Sequence, residues 1–372
     1  MRIEPFRLER YFAAHEFRVK HVLSASDCES LSLAGLLEMA SPETAELWRG
    51  LRLGYTESQG HPRLREEIAG LYESVAPEGV VVAAPEEAIF IAMHALLAPD
   101  EHVIVLAPAY QSLHEVPRSI GCEVTPWPLE AGAHGWRLDI GRLESSFTER
   151  TRMLVVNFPH NPTGAMPTRA ELEAIVALAA SRGAWLLSDE MYRLLEHDSA
   201  DRLPAVADLY DRGISLSGLS KAFGLPGLRI GWLAARDPAL PARFLALKDY
   251  TTICSSAPSE VLAIAALGAR DRILARNLAI VRTNVAEAER FFATHADSFD
   301  WLAPRAGSVA FPRWRGEGTA DRLCSGLLDS SGVMLVPGSL FNATGEHVRI
   351  GLGRRDLPEG LALLGKFLSS TC

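Results

Sequence analysis

Three polar residues, Asn161, Asp189 and Lys221, each lie a few positions beyond a short apolar run of the sequence. Ligands of open parallel sheets bind outside the carboxyl ends of the strands, so side chains directly after such runs are the first candidates for a site. The three residues supply an amide, a carboxylate and an amine, and Tyr192 adds a phenol three positions after Asp189. We therefore expect these four side chains to lie along one edge of a sheet.

These groups match the requirements of a pyridine-type cofactor. Such a cofactor needs a carboxylate near its ring nitrogen, donors to its phenolic oxygen and a lysine that forms an imine. Asp189 can be the carboxylate, Asn161 and Tyr192 the donors, and Lys221 the amine. A protonated ring is an electron sink that makes the α-proton of a bound amino acid removable, and Lys221 is the candidate base. Only four of the 37 basic residues are lysines, so a lysine inside this pattern stands out from the background.

The sequence around these residues resembles the fold type I pyridoxal-phosphate enzymes of the class I/II aminotransferase family. The motifs that match are Asn161-Pro162-Thr163-Gly164, Asp189-x-x-Tyr192 and Ser220-Lys221-x-x-Gly224-x-x-Gly227-x-Arg229-x-Gly231. The similarity extends from about residue 55 to residue 349. It implies an aminotransferase that moves the α-amino group of an amino acid to a 2-oxo acid through an internal aldimine on Lys221.

The resemblance also implies roles for individual residues. Lys221, Asp189 and Tyr192 are the predicted catalytic residues, and Arg349 with Asn161 is predicted to bind the α-carboxylate of the substrate, a bidentate task suited to a guanidinium. Arg229 is predicted to bind the phosphate, Tyr110 to stack on the ring, and Tyr55 to reach the phosphate of the neighbouring subunit, which implies a homodimer. The complete predicted cofactor-binding set is Tyr55, Ala84, Pro85, Glu86, Tyr110, Asn161, Asp189, Tyr192, Ser220, Lys221 and Arg229.

The predicted phosphate site departs from the family pattern. The phosphate is expected at the N-terminus of a helix that begins near Pro85, where backbone N–H groups and the helix dipole attract anions. The family pattern usually has Ser-Gly-Ala or Ser-Gly-Thr here, but this chain has Ala83-Ala84-Pro85, and proline has no N–H. Gly218 also replaces the usual serine three positions before the lysine. Ser217 or Ser220 is expected to compensate, with somewhat weaker cofactor retention.

Two segments bear on the substrate. Asp27 and Glu29 lie in a region that closes over the substrate in the family, so they are candidates to face a cationic side chain; a solvated helix start capped by Ser26 or Asp27 is the alternative. The N-terminal run also resembles the branch that contains capreomycidine synthase, which cyclises an arginine-derived substrate. Residues 250–256 lack the second arginine of dicarboxylate-specific relatives, which argues against a preference for aspartate or glutamate.

The pattern of apolar runs predicts an α/β fold. From about residue 60 to 235, helical patterns alternate with apolar runs, which indicates a mostly parallel sheet with helices on both faces. The predicted strands are 80–82, 102–106, 122–125, 152–158, 184–188, 213–217 and 228–234. Long helices and short strands follow residue 258. We predict a large cofactor-binding domain of residues 46–265 and a smaller α/β domain formed by residues 1–45 together with 266–372.

Composition excludes several classes of protein. No apolar run approaches the roughly 18–20 residues that span a bilayer, and the first twenty residues show no secretory signal, so no membrane association is expected. The formal charge of −9 disfavours nucleic-acid binding. The five cysteines are scattered without metal-ligand spacing, which predicts reduced thiols, no metal and a cytoplasmic location.

The motifs around Lys221 leave the reaction open. Elimination, replacement or cyclisation of an amino acid uses the same cofactor and the same removal of the α-proton, so these reactions are the alternative to amino transfer. A noncatalytic sensor of the cofactor fits less well, because only about 45 residues precede the predicted fold and they show no helix-turn-helix.

Overall fold

A computed structural model of the chain describes residues 2–132 and 135–371. Its largest sheet contains β1 (Val80–Ala83), β2 (His102–Ala107), β3 (Glu123–Gly132), β4 (Gly135–Leu138), β5 (Thr151–Asn157), β6 (Trp185–Asp189), β7 (Gly213–Gly218) and β8 (Gly231–Ala235). The strand order is β1-β8-β7-β6-β5-β2-β3-β4. Strands β7, β6, β5, β2 and β3 run parallel, whereas β1, β8 and β4 pair antiparallel with their neighbours. The predicted fold class is confirmed.

The described residues form fourteen α-helices, some of which cover the two faces of this sheet. They are α1 (Arg7–His15), α2 (Leu33–Leu37), α3 (Pro42–Arg49), α4 (Pro62–Ala69), α5 (Pro85–Leu96), α6 (Ser112–Ile120), α7 (Ile140–Ser146), α8 (Arg169–Ser181), α9 (Val206–Leu209), α10 (Leu240–Lys248), α11 (Ala257–Gly268), α12 (Arg270–Thr294), α13 (Ala320–Ser331) and α14 (Leu357–Thr371). Successive residues of a strand point to opposite faces. Accordingly Val103 and Val105 of β2 join one apolar core with α5 and α6, and Ile104 and Leu106 join another with α7 and α8.

The sequence predicted most element boundaries to within a few residues, with two differences. The third run forms a longer strand, β3, which pairs antiparallel with β4, a strand that the sequence did not predict. The run at 228–234 begins as a strand only at Gly231, because Pro226–Leu228 forms a short 3₁₀ turn and Arg229 takes a left-handed backbone with φ of 56°. Helix α8 begins with a capping box: Thr168 N–H donates to Glu171 Oε2 at 2.7 Å, and Glu171 N–H donates to Thr168 Oγ1 at 3.2 Å.

The C-terminal part carries two small sheets. Strands β10 (Val309–Ala310), β13 (Val348–Gly351) and β12 (Val336–Pro337) form one, and β11 (Arg313–Trp314) pairs with β9 (Phe299–Asp300). The N-terminal segment packs here: His21 forms a parallel bridge with Val333, and Gly351 N–H donates to Leu23 O at 2.8 Å. These contacts support our proposal that residues 1–45 and 266–372 form one small domain. In the described part of the chain no helix is long and apolar enough to cross a membrane.

Candidate functional site

A cavity of about 520 Å³ lies at the carboxyl ends of the parallel strands, beneath α1. This size is ordinary for a small-molecule site. The predicted site residues that line it are Pro85, Glu86, Tyr110, Asn161, Asp189, Tyr192, Ser220, Lys221, Arg229 and Arg349. Ala84 and Tyr55 do not line it. Residues separated by more than 250 positions in the sequence, from Pro85 to Arg349, therefore line one cavity.

Lys221 lies in the loop after β7, and its amine points into the cavity. Its Nζ donates to Ser26 Oγ at 2.8 Å. Burial lowers the pKa of Lys221, and the nearby Asp27 carboxylate opposes that effect. Gly224, in the loop after the lysine, has φ of +65°, and a Cβ there would lie 3.0 Å from Cys28 O. The motif glycine thus allows the N-terminal segment to approach the lysine loop closely.

Asp189 ends β6 and is buried at the cavity wall. Burial raises the pKa of its carboxyl to about 6, against the lowering effects of the Met191 N–H and of Lys221. Asn157, its neighbour in β5, donates from Nδ2 to Asp189 O at 2.7 Å and accepts from Asn161 N–H at 2.7 Å. Asn157 therefore holds the backbones of Asp189 and Asn161 in register.

Arg349 in β13 is 1% exposed and carries an incompletely satisfied guanidinium. One terminal nitrogen donates to Asn161 Oδ1 at 3.2 Å and the other to Ser24 O at 3.0 Å, whereas Nε has no partner. The guanidinium also lies over the rings of Phe12 and Phe341, with its Cζ at 5.6 and 5.2 Å from their centroids. A buried cation with a free donor is suited to bind a carboxylate.

Two tyrosines of the cavity are bonded to the N-terminal segment. Tyr192 donates to Ser26 O at 2.9 Å, and Tyr110 donates to Glu9 Oε1 at 2.6 Å. Burial raises the pKa of both phenols, so both remain protonated donors at neutral pH. The N-terminal segment thus closes the cavity by contacting the side chains that line it.

The predicted phosphate end is built differently from the family pattern. Helix α5 begins at Pro85. The N–H of Ala84, directly before the helix, donates to Glu87 Oε2 at 3.4 Å. Of the two serines expected to compensate, Ser220 lines the cavity and its buried Oγ has no partner. Ser217 Oγ instead lies 3.4 Å from Glu190 O. Arg229 lines the cavity beside Ser220, so a cation and a free hydroxyl are available for an anion.

Glu86 is a second acidic residue at this end. Burial raises the pKa of its carboxyl to about 7, and Arg229 acts in the opposite direction. A carboxyl with a pKa near 7 is only partly ionised at neutral pH, so it repels an anion less than a carboxylate of ordinary pKa does. Its presence is therefore compatible with a phosphate nearby.

The sequence did not identify the acidic lining contributed by α1 and the turn after it. Glu9, Phe12 and Glu16 line the cavity. No motif marks these residues; they reach the site only because α1 packs against the loop of Tyr110, with Phe6 and Tyr110 rings 4.8 Å apart.

Asp27 and Glu29, both candidates to face a cationic side chain, have different environments. Asp27 lines the cavity, is buried and accepts from Arg354 at 3.0 and 3.2 Å. Glu29 lies outside the cavity lining and forms ion pairs with Arg276 and Arg355. The alternative of a helix start at Ser26 or Asp27 is wrong, because the next helix is α2, which Ser32 caps.

Tyr55 is 90% exposed and does not contribute to the cavity of its own chain. Leu53 and Tyr250 are 86% and 91% exposed. The role of Tyr55 in a neighbouring subunit remains a prediction.

The side chains present fit a phosphorylated pyridine cofactor. Arg229 and the unpartnered Ser220 hydroxyl suit its phosphate, the buried Asp189 carboxylate suits a protonated ring nitrogen, and the Lys221 amine suits its carbonyl carbon. Among residues 2–132 and 135–371, no group of histidine, cysteine and acidic side chains could hold a metal ion.

Comparison with known proteins identifies the family. The sequence model of the class I and II aminotransferase family matches residues 20–357. Capreomycidine synthase of Streptomyces vinaceus is 33% identical over 99% of this chain and 93% of its own. Two solved structures, a pyridoxal 5'-phosphate-dependent aminotransferase from Streptococcus suis 89-1591 and the pyridoxal 5'-phosphate-dependent cyclase OrfR, are each 31% identical, with TM-scores of 0.92, and the matches cover 100% of this chain and 99% of theirs. The chain is therefore an enzyme of the class I and II aminotransferase family, with pyridoxal 5'-phosphate as its cofactor.

Proposed function

We propose that this enzyme is an aminotransferase for an amino acid with a cationic side chain, whose α-amino group it transfers to a 2-oxo acid. The observation that carries the substrate class is a group of three acidic residues, Glu9, Glu16 and Asp27, in the same cavity as Lys221 and Arg349. We call these three residues the acidic wall.

The residues at the carboxyl edge of the sheet support the chemical part of the proposal. The bound cofactor supplies an electron sink for the electrons of a broken bond at the substrate Cα. Lys221 would hold the cofactor through its amine, and the same Nζ would take the proton from the substrate Cα. Burial lowers the pKa of Lys221, which favours the neutral amine that this task needs. Asp189 would face the ring nitrogen, and Asn161 and Tyr192 would donate to the phenolic oxygen.

Arg349 orients the substrate. Each terminal nitrogen of Arg349 makes one hydrogen bond, so each keeps one N–H for the α-carboxylate. The rings of Phe12 and Phe341 lie against the guanidinium. Because a guanidinium binds a carboxylate in a fixed plane, it aligns Cα with respect to Lys221.

The charges left over favour a cationic side chain. Arg229 is assigned to the phosphate, Arg349 to the α-carboxylate, and Asp189 to the ring. Among the remaining lining residues, Arg354 neutralises Asp27. Glu9 and Glu16 form no ion pair within the described residues. Burial raises the pKa of Glu16, Arg354 acts in the opposite direction, and the Asp27 and Glu9 carboxylates add to the rise. A cationic group between them would relieve this repulsion.

A comparison of isosteric substrates tests the substrate class. We expect turnover with arginine, ornithine or lysine, and much slower turnover with citrulline or norvaline, which lack the charge. Glu16→Gln should raise the KM for the cationic donor by about tenfold or more, since a hydrogen bond to a charged group contributes about 1.5–3 kcal/mol. Asp27→Asn should have a smaller effect, because Arg354 already pairs with that carboxylate. Glu29→Gln is the matched control, because its carboxylate belongs to the same segment but lies outside the cavity lining. Equal rates with arginine and citrulline, or an equal effect of Glu29→Gln, would remove the basis for this substrate class.

Cyclisation is the second candidate reaction. The relative named as a synthase and the solved cyclase align with 99–100% of the chain, including the N-terminal segment that bears the acidic wall. A substrate labelled with ¹⁵N at the α-amino group distinguishes the reactions. Transfer of the label to a 2-oxo acid such as pyruvate supports the aminotransferase; label retained in a cyclic product, with no labelled alanine, supports the cyclase.

We further propose that the enzyme works in the cytoplasm as a homodimer in which Tyr55 of each subunit reaches the other cavity. Leu53, Tyr55 and Tyr250 are exposed in the single chain, which supports our proposal that the partner subunit covers this surface. The described cysteines form no disulfide, which fits a reducing compartment. Light scattering with Leu53→Asp tests the dimer: the variant should become monomeric, and an unchanged mass would contradict this surface.

A further inference from the structure

His160 is a buried ionisable residue that the proposed chemistry does not use. It is 1% exposed and does not line the cavity. Its Nε2 lies 2.9 Å from Pro108 O, and its Nδ1 lies 2.8 Å from Thr163 Oγ1. The ring thus connects the loop after β2 with the loop after β5.

The surroundings of His160 define the direction of its hydrogen bonds. A carbonyl oxygen can only accept, so Nε2 carries a proton. Burial lowers the pKa of His160 to about 3, so the ring is neutral and Nδ1 carries no proton. Nδ1 therefore accepts from Thr163 Oγ1, which itself accepts from the Ala165 N–H at 3.1 Å.

The two loops that His160 connects carry different parts of the site. Tyr110 lies two residues after Pro108, and Asn161 follows His160 directly. Asn161 in turn accepts from Arg349. The separation of these two loops therefore sets the position of Tyr110 relative to Asn161 and Arg349.

We propose that His160 is a positioning residue, a neutral ring of fixed length that holds Tyr110 and Asn161 at the spacing the cofactor ring requires. This inference rests on the proposed roles of those two residues, but not on the substrate class or on the reaction. Of its two hydrogen bonds, the one to Pro108 O crosses between the loops, because Thr163 lies in the same loop as His160.

Two substitutions cut the connection at different ends. In His160→Asn, the amide reaches the position of Nδ1 and can still pair with Thr163, but the link to Pro108 O is lost. In His160→Gln, the longer side chain places its amide near Nε2 and keeps a donor for Pro108 O. We expect His160→Asn to shift the visible absorption band of the bound cofactor without substrate, and to lower kcat/KM by about tenfold to a hundredfold, since displacements near 1 Å can have such effects. His160→Gln should keep the wild-type band and regain most of the activity.

His102 provides a matched control for loss of stability. It is equally buried, and its ring nitrogens lie 2.7 Å from Thr151 Oγ1 and 2.8 Å from Thr125 Oγ1. It connects β2, β5 and β3 at their amino ends, the opposite edge of the sheet from the site. His102→Asn should lower the melting temperature but leave the cofactor band unchanged.

The proposal is overturned if His160→Asn lowers stability as His102→Asn does but leaves the band and kcat/KM unchanged. If His160→Asn does not fold, His160→Gln decides alone: a wild-type band supports the proposal, and a shifted band contradicts it. Because the band is read without substrate, failure of the substrate proposal leaves this test valid.

Discussion

Replacement of Asp189 by asparagine should stabilise the cofactor-free enzyme while it damages the loaded one. The carboxylate of Asp189 is buried, and the folded chain raises its pKa from 3.8 to about 6. The charged form therefore costs free energy in the folded apoprotein. At about 1.4 kcal/mol per pKa unit, the cost at pH 8 is about 3 kcal/mol. Asparagine has nearly the same shape, retains an oxygen for the Met191 N–H and carries no charge.

The sign of the pH dependence follows from this shift. In wild type, the raised pKa of Asp189 stabilises the folded state fully below about pH 4. This stabilisation is lost as pH rises through about 6. Urea unfolding of the two apoproteins should thus show Asp189→Asn to be more stable by up to about 3 kcal/mol at pH 8, with the difference vanishing near pH 4. With cofactor bound the order should reverse, because asparagine cannot hold the ring nitrogen protonated, and turnover should fall by several powers of ten.

Asp208→Asn is the control, because Asp208 accepts from the Glu73 and Ser74 N–H groups far from the cavity. An Asp189→Asn apoprotein that is less stable than wild type at pH 8, or a difference that is the same at pH 4 and pH 8, would refute the argument from burial.

Two further substitutions test the site directly. Lys221→Ala should abolish turnover but leave the far-ultraviolet circular dichroism spectrum unchanged, because it removes both the covalent attachment and the base; near-normal turnover would contradict the assigned role. Ser220→Ala should weaken cofactor binding by about tenfold or more in a fluorescence titration, since it removes a free hydroxyl beside Arg229; Ser217→Ala, which changes a hydroxyl outside the cavity lining, should not, and equal effects would place the phosphate elsewhere.

The central residues of the site could be predicted because local sequence determines their position. Asn161, Asp189 and Lys221 follow the parallel strands β5, β6 and β7, and strand order alone brings the carboxyl ends of these strands together. Ser220 and Arg229 follow from their spacing to the lysine, although the left-handed backbone of Arg229 could not be read from the sequence.

The acidic wall could be predicted only in part. From the sequence alone, Asp27 and Glu29 could not be distinguished. The structure separates them, because Glu29 forms ion pairs with Arg276 and Arg355, which are distant in sequence. Glu9 contributes through a contact with Tyr110, 101 residues later in the chain. Such pairings depend on how α1 docks, which no local pattern specifies. Gly227 belongs to the motif, but no atom lies within 4 Å of the position that a Cβ would take, so the structure does not explain the glycine there.

The attachment site of the cofactor tests the central claim most directly. Borohydride reduction of the loaded enzyme fixes the cofactor to its lysine, and peptide mass spectrometry locates it among Lys20, Lys221, Lys248 and Lys366. Lys248 is an internal control, because it is also buried and its pKa is also lowered by burial, but it does not line the cavity. The account predicts modification of Lys221 alone, with about one cofactor per chain. Modification of Lys248 or of the other lysines, with Lys221 unmodified, would contradict it.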